Sequence, residues 1–249
     1  MSIIGEPGGG PMRVGIAISD TSAGMFLGQG ILLALYHRER TGEGQWVHTS
    51  LLEAMMSKLD FQGARYTMNG DVPAQQGNDH PTQVPMGTFI AKDGFVNIAA
   101  FGNVMWKRFC DALQAQDLFD HPDYQSSRSR GQHRDQIRDD MNAVTSRYGV
   151  AELVQRLNEA GVPCGPINDV GQGFEDAQVQ HLQLAIPAPH DELGPINLVR
   201  SPINLSAFAA PQAFDRAAPD PGADGDEVLA AWGLQGDEIQ RLREDGVVT

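Results

Sequence analysis

The stretch from residue 23 to residue 38 constrains this chain most. It carries Met25, Phe26, Leu27, Ile31, Leu32, Leu33, Ala34, Leu35 and Tyr36. That density leaves no wet face, and a helix apolar on all sides is an interior one. The segment therefore predicts a buried helix inside a fold large enough to wrap it. Asp20, Thr21 and Ser22 supply N-cap chemistry at its start. Residues 14 to 18 ahead of it form a short apolar run suited to an extended segment. Gly24 and Gly28 stand four apart, on one helix face, where they permit close approach of a backbone or a ligand. Thr41-Gly42-Glu43-Gly44 is a turn, residues 45 to 49 alternate as a strand does, and Ser50 opens a second helix running to about Met68.

A linker rich in Gly, Pro, Asn and Gln follows, over 69–85. Beyond it, residues 88 to 101 predict a hairpin turning at Lys92-Asp93-Gly94, with Val96, Ile98 and Ala100 on one face. Helices are expected over 103–114, 133–147 and 150–160. His121-Pro122-Asp123 and residues 126 to 131 are expected as loop. Residues 186 to 208 look extended, bent or edged by Pro187, Pro189, Pro195 and Pro202. Residues 211 to 225 form a Pro/Ala/Asp linker, and two short helices close the chain over 226–232 and 237–245.

Charge and cysteine content narrow the function. The formal charge of −14 argues against nucleic acid and against an anionic membrane surface. No stretch looks long and apolar enough to span a bilayer. Two cysteines, Cys110 and Cys164, make no disulfide framework and fit a reducing cytoplasm. Cys164, in an apolar Val-Pro-Cys-Gly-Pro turn, fits a buried structural thiol better than a nucleophile. The seven histidines show no ligand spacing, so no metal is expected. The opening MSIIGEPGGGPMRVG lacks the regions of a signal peptide and resembles an interior loop of a larger protein.

Asp20 has two readings. As a cap it only satisfies helix N–H groups. As a reactive carboxylate it stands at a helix N-terminus beside the small residues Ala23 and Gly24, where a substrate can come close and backbone N–H groups can stabilise developing negative charge. A carboxylate so placed can attack an activated carbonyl. Arg38 and Arg40, at the far end of the helix, face the C-terminal dipole or, alternatively, a phosphate.

Several segments, in the same order along the chain, resemble the family III CoA-transferases (the CaiB/BaiF, formyl-CoA transferase-like group). They are GIAISDTSAGMFLGQGILLALYHRERTGEGQ at 15–45, Ser50-Leu51-Leu52-Glu53-Ala54, Pro85-Met86-Gly87-Thr88-Phe89 with Asp93-Gly94, Gly161-Val162-Pro163-Cys164-Gly165-Pro166-Ile167-Asn168-Asp169, and Glu227-Val228-Leu229 with Gly233-Leu234. The resemblance implies an α/β fold: a partial Rossmann-like large domain, a smaller α+β domain, and an interlocked homodimer. On that pattern 1–68 belongs to the large domain, 69–85 is linker, 86–185 is the small domain, and 186–249 returns to the large one. It implies that Asp20 is the covalent carrier, that Gly24 and Gly28 make room for substrate, and that Gly77 and His80 lie where some members carry a mobile active-site loop. The substrates implied are a coenzyme A thioester and a small carboxylic acid.

The family's opening region, roughly the first third of a full-length member, has no counterpart in the resemblance. The Gly-x-His-Thr pattern often found ahead of the last helices is replaced by Pro221-Gly222-Ala223-Asp224-Gly225. Two alternatives therefore stand beside a transferase. One is a relative of the α-methylacyl-CoA racemases, which use the equivalent Asp for proton transfer. The other is an inactive or partner-dependent fragment, poorly soluble alone because its apolar surface is bare.

Overall fold

The computed structural model describes residues 1–248. They fall into two compact units, Met1–Ile167 and a second that begins at Asn168.

The first unit opens with an irregular Gly/Pro-rich loop and then helix α1, Ile18–Thr41. Its N-cap is Ala17, without a side-chain cap, so Asp20 sits inside the first turn rather than at the cap. Thr21 satisfies its hydroxyl by donating back to the Ala17 carbonyl (2.9 Å). Gly42, at φ +78°, ends the helix in the left-handed conformation that glycine adopts without strain. Contrary to expectation, α1 is not an interior helix of this chain. Only Ser22 and Ala23 are buried along it, while Leu32 and Leu33 are 67% and 70% exposed. The helix packs on α2, Leu51–Ser57, and most of its remaining residues are exposed. Its 24 residues also meet the length and composition of a membrane span, which corrects the reading that no stretch does.

The segment expected as a strand at 45–49 finds no ladder partner and stays irregular; the run at 14–18 forms no strand either. A Cβ on Gly30 would lie 2.7 Å from Val47 Cγ1, so this segment runs back along α1. Gly30, not Gly24 or Gly28, is therefore the glycine of α1 that a neighbour approaches closely. The second helix begins as expected, Ser50 Oγ accepting from Glu53 N–H (3.2 Å) and donating to the Glu53 carboxylate (2.7 Å). It breaks before Asp60, which sits at φ +50°, and resumes as α3, Asp60–Asn69. The linker is tied to the opening loop: the Gln75 amide donates to the Ile4 and Gly10 carbonyls (2.5 and 2.6 Å).

Strands β1 (Met86–Ala91) and β2 (Gly94–Ala99) form the expected hairpin, in register from Met86↔Ala99 to Ala91↔Gly94. Strand β3 (Cys164–Pro166) pairs antiparallel with β2, giving the order β1-β2-β3. Period-two alternation turns Val96 and Ile98 inward. There they meet Phe89, Trp106, Phe109, Met141, Leu153 and Leu157 in one apolar cluster. Its helices are α4 (Gly102–Ala112), α5 (Gln116–Asp120), α6 (Ser127–Gln132), α7 (Arg134–Thr145) and α8 (Val150–Glu159), with a 3-10 turn at Pro122–Tyr124. The stretch expected as loop at 126–131 is thus helical. Ser126 Oγ caps it by accepting from Ser129 N–H (3.1 Å), and Arg130 is buried beneath it.

The hairpin turn is clamped to α8. Asp93 Oδ1 accepts from Val150 N–H (2.8 Å), and Lys92 N–H donates to the Tyr148 carbonyl (2.8 Å). Asp93 thus does a helix cap's work from another element. Asp93→Ala is expected to cost about 1 kcal/mol, the usual loss for a cap; a lowered urea midpoint with unchanged slope would show it.

The second unit begins with α9, Val170–Glu175, closed by an Asp169/Gln172 capping box, and α10, Ala177–His181. Strands β4 (Ala185–His190) and β5 (Gly194–Val199) form a second antiparallel hairpin. The following linker lies along β4, with Phe214 and Ala217 N–H donating to the Pro187 and Pro189 carbonyls. Helices α11 (Gly225–Ala231) and α12 (Gly236–Glu244) end the described residues as expected.

Candidate functional site

Asp20 is the third residue of α1, and its carboxylate is solvent-exposed. Ser19 Oγ donates to its Oδ2 (2.9 Å). The unpaired N–H groups and the dipole of the helix start favour negative charge here. One turn on, Gly24 has nothing within 4 Å of where a Cβ would be, and Gly28 repeats this a turn later. A carboxylate at a helix start, with open space along its own face, is accessible to a bulky electrophile. The structure thus brings Asp20, Gly24 and Gly28 onto one stretch of α1.

Gly77 and His80 belong to a separate loop, and among the described residues no hydrogen bond or ion pair joins them to Asp20. Gly77 has φ +58°, and a Cβ there would fall 2.7 Å from the Glu6 carboxylate. His80 Nδ1 accepts from Thr82 and Gln83 N–H (3.2 and 3.0 Å), which leaves the neutral ring its proton on Nε2. The ring stacks on Phe61 (centroids 5.5 Å apart), and the His80 carbonyl accepts from Arg134 (2.9 Å). These contacts fix the loop.

Between them lies Asp79, which the sequence reading passed over. Its largely buried carboxylate meets Arg138 at 3.3 Å and Arg134 at 4.0 Å. Burial pushes it above its ordinary value, outweighing the two guanidiniums. Arg134 and Arg138 stand one turn apart on α7, but nothing local in the sequence ties them to a carboxylate on this loop.

Arg40 packs on Tyr36 within the last turn of α1, its guanidinium 5.3 Å from the ring centroid. Burial pushes the Cys110 thiol up to about 12 and that of Cys164 to about 11. Neither favours a thiolate. Among the described residues no three His, Cys, Asp or Glu side chains gather as a metal site.

The sequence profile of CoA-transferase family III matches residues 1–225. This chain belongs to that family. The succinate–glutarate CoA-transferase of Agrobacterium fabrum is 32% identical over 92% of this chain and 57% of its own length. The succinyl-CoA:mesaconate CoA-transferase of Haloarcula hispanica is 34% identical over 83% of this chain and 52% of its own. The crystal structure of a CaiB/BaiF family protein from Brucella suis superimposes with a TM-score of 0.77 at 28% identity, covering 93% of this chain and 59% of that one. The mixed α/β architecture is thus the family III fold. The chain spans about half the length of the curated relatives it matches.

Proposed function

We propose that the protein carrying this chain exchanges CoA between an acyl-CoA and a free carboxylic acid, with Asp20 as the covalent carrier. The family match over residues 1–225 carries this reading. The exposed Asp20 at the start of α1, beside the open face of Gly24 and Gly28, gives it a geometry.

The carboxylate adds to the thioester carbonyl, and CoA thiolate leaves to give an aspartyl acyl anhydride. The thiolate then attacks the aspartyl carbonyl of that anhydride, releasing the first acid and leaving an aspartyl-CoA thioester. The incoming acid reverses both steps, so each bond broken is matched by one formed. Helix N–H groups near Asp20 offset the negative charge developing in each addition. The two relatives named for succinate, glutarate and mesaconate favour small dicarboxylates as the acids.

The site works within an assembly. The exposed apolar length of α1 is an interior helix once the rest of the large domain and a second interlocked copy enclose it, which favours this reading over a membrane span. In that assembly 1–68 and 186–249 serve the large domain and 86–185 the small one. Proton transfer at the α-carbon is the weaker reading: the racemases pair the Asp with a Glu at the start of the small domain's first helix, and the first turn of α4 carries no acidic residue.

Intact-mass measurement after exposure to a panel of acyl-CoAs tests the proposal. A hydroxylamine-sensitive adduct of acyl or CoA mass is expected. Deuterium washout from the α-carbon without any acceptor acid, and without adduct, would replace transfer by racemase-like chemistry.

A further inference from the structure

Away from α1, a cavity of about 420 Å³ opens between α4, α5 and the 3-10 turn that follows. That volume lies in the range of small-molecule sites. Trp106 and Phe119 give it an apolar wall, and Tyr124 closes one side. Three cations line it: Lys107, Arg108 and Arg130. In a chain with 32 acidic and 18 basic residues, such convergence runs against the overall field.

The state of those cations points to a ligand. Arg130 is fully buried, yet its guanidinium meets only neutral acceptors: the Tyr124 carbonyl (2.6 Å), Asn103 Oδ1 (2.9 Å) and Ser127 Oγ (3.0 Å). Arg108 reaches only the Gly161 carbonyl (3.4 Å). Among the described residues neither has a carboxylate within ion-pair distance; only Lys107 does, at Asp111 (2.6 Å). Two buried donors lack any partner, Arg130 Nε and Trp106 Nε1, and both belong to side chains that line this cavity. A buried charge without a counter-charge and buried donors without acceptors are both costly. An anion seated at the cavity offsets the first and draws on the same acceptor-poor surroundings.

We propose that this cavity is a binding site for a small ring-bearing anion. Its carboxylate or phosphoryl group would lie against Lys107 and Arg108, in the field of the buried Arg130, and its ring against Phe119 and the accessible edge of Trp106. The site is separate from Asp20 and does not depend on the transfer chemistry.

Trp46 and Trp232 are the other indoles of this sequence and both are exposed, so replacing them, and any tryptophan elsewhere in the protein carrying this chain, by phenylalanine leaves Trp106 as sole reporter. Titration of its emission with phenyl phosphate, benzoate, benzamide and inorganic phosphate is the test. Phenyl phosphate or benzoate is expected to give a saturable change, and the tighter of the two identifies a phosphoryl or a carboxylate ligand. Benzamide and inorganic phosphate should bind at least about tenfold more weakly, since each lacks one half of the recognition. Lys107→Glu and Arg108→Glu, both at exposed positions, should each weaken the better ligand by about tenfold or more, with the thermal midpoint lowered by no more than a few degrees, since Lys107 gives up only a surface pair with Asp111. Equal binding of benzamide and benzoate would overturn the anion requirement. Equal binding of inorganic and phenyl phosphate would overturn the ring requirement. Unchanged affinity in both charge-reversed variants, or no saturable response at millimolar ligand, would remove the site.

Discussion

Asp20→Asn is expected to lower CoA transfer by on the order of 10⁴-fold or more, the scale on which removing a covalent nucleophile acts. It should also abolish the acyl and CoA adducts. The substitution keeps the shape of the side chain and an oxygen for Ser19 Oγ to donate to. It removes only the charge and the nucleophile. As a mere helix-terminal charge, Asp20 is worth about 0.3–1 kcal/mol, and its replacement would leave turnover intact. The two roles therefore separate in one pair of measurements. A thermal midpoint within a few degrees of the parent's, with kcat gone, assigns Asp20 to chemistry. A lowered midpoint with kcat retained assigns it to the helix. Because the carboxylate is exposed in this chain, the kinetic comparison belongs to the proposed assembly.

How much of this was legible in the sequence depends on where each element finds its partners. The hairpin, α4, α7 and α8 were legible because their apolar positions meet one another within the same stretch of chain. Val96 and Ile98 alternate on one strand, and Phe109, Met141 and Leu153 fill the space they face. Residues 45–49 and the bulk of α1 were misjudged for the opposite reason. Their apolar patterns find no partner among the described residues, so 45–49 has no ladder and most of α1 stays exposed. The two-part helix of α2 and α3 was hidden because an Asp in the left-handed region looks no different in sequence from a helical one. Helix α6 was hidden by its polarity: Ser-Arg-Ser-Arg-Gly-Gln has no apolar stripe, and the residue it buries is an arginine. In the candidate site, Asp20 and its glycines share one element and could be read together. Asp79 could not, since its partners Arg134 and Arg138 lie more than fifty residues away and only folding joins them.

Arg130→Ala is expected to destabilise the first unit by about 2–4 kcal/mol, a large share of the ~5–15 kcal/mol that holds a domain folded. The side chain lies under α6 and fastens three pieces: the 3-10 turn through the Tyr124 carbonyl, α4 through Asn103, and its own helix through Ser127. It also covers the face of Trp106, its guanidinium 5.6 Å from the ring centroid. Truncation leaves the Tyr124 carbonyl without its donor, worth about 1–3 kcal/mol, and opens a cavity beside Trp106 and Tyr124, adding a cost of similar size. One term opposes these. Burial pulls the guanidinium below its ordinary value, the mark of a charge held at a cost, and removing it returns some of that free energy. Arg130→Met separates the contributions, because it refills the volume but restores no donor. Urea unfolding followed by Trp106 emission in the Trp46→Phe/Trp232→Phe background should rank parent above methionine above alanine. A methionine variant as stable as the parent would mean that the hydrogen bonds only cancel the desolvation of the charge. The guanidinium would then contribute nothing net to the fold, and its place beside the cavity would be the remaining physical account of why a cation is buried there.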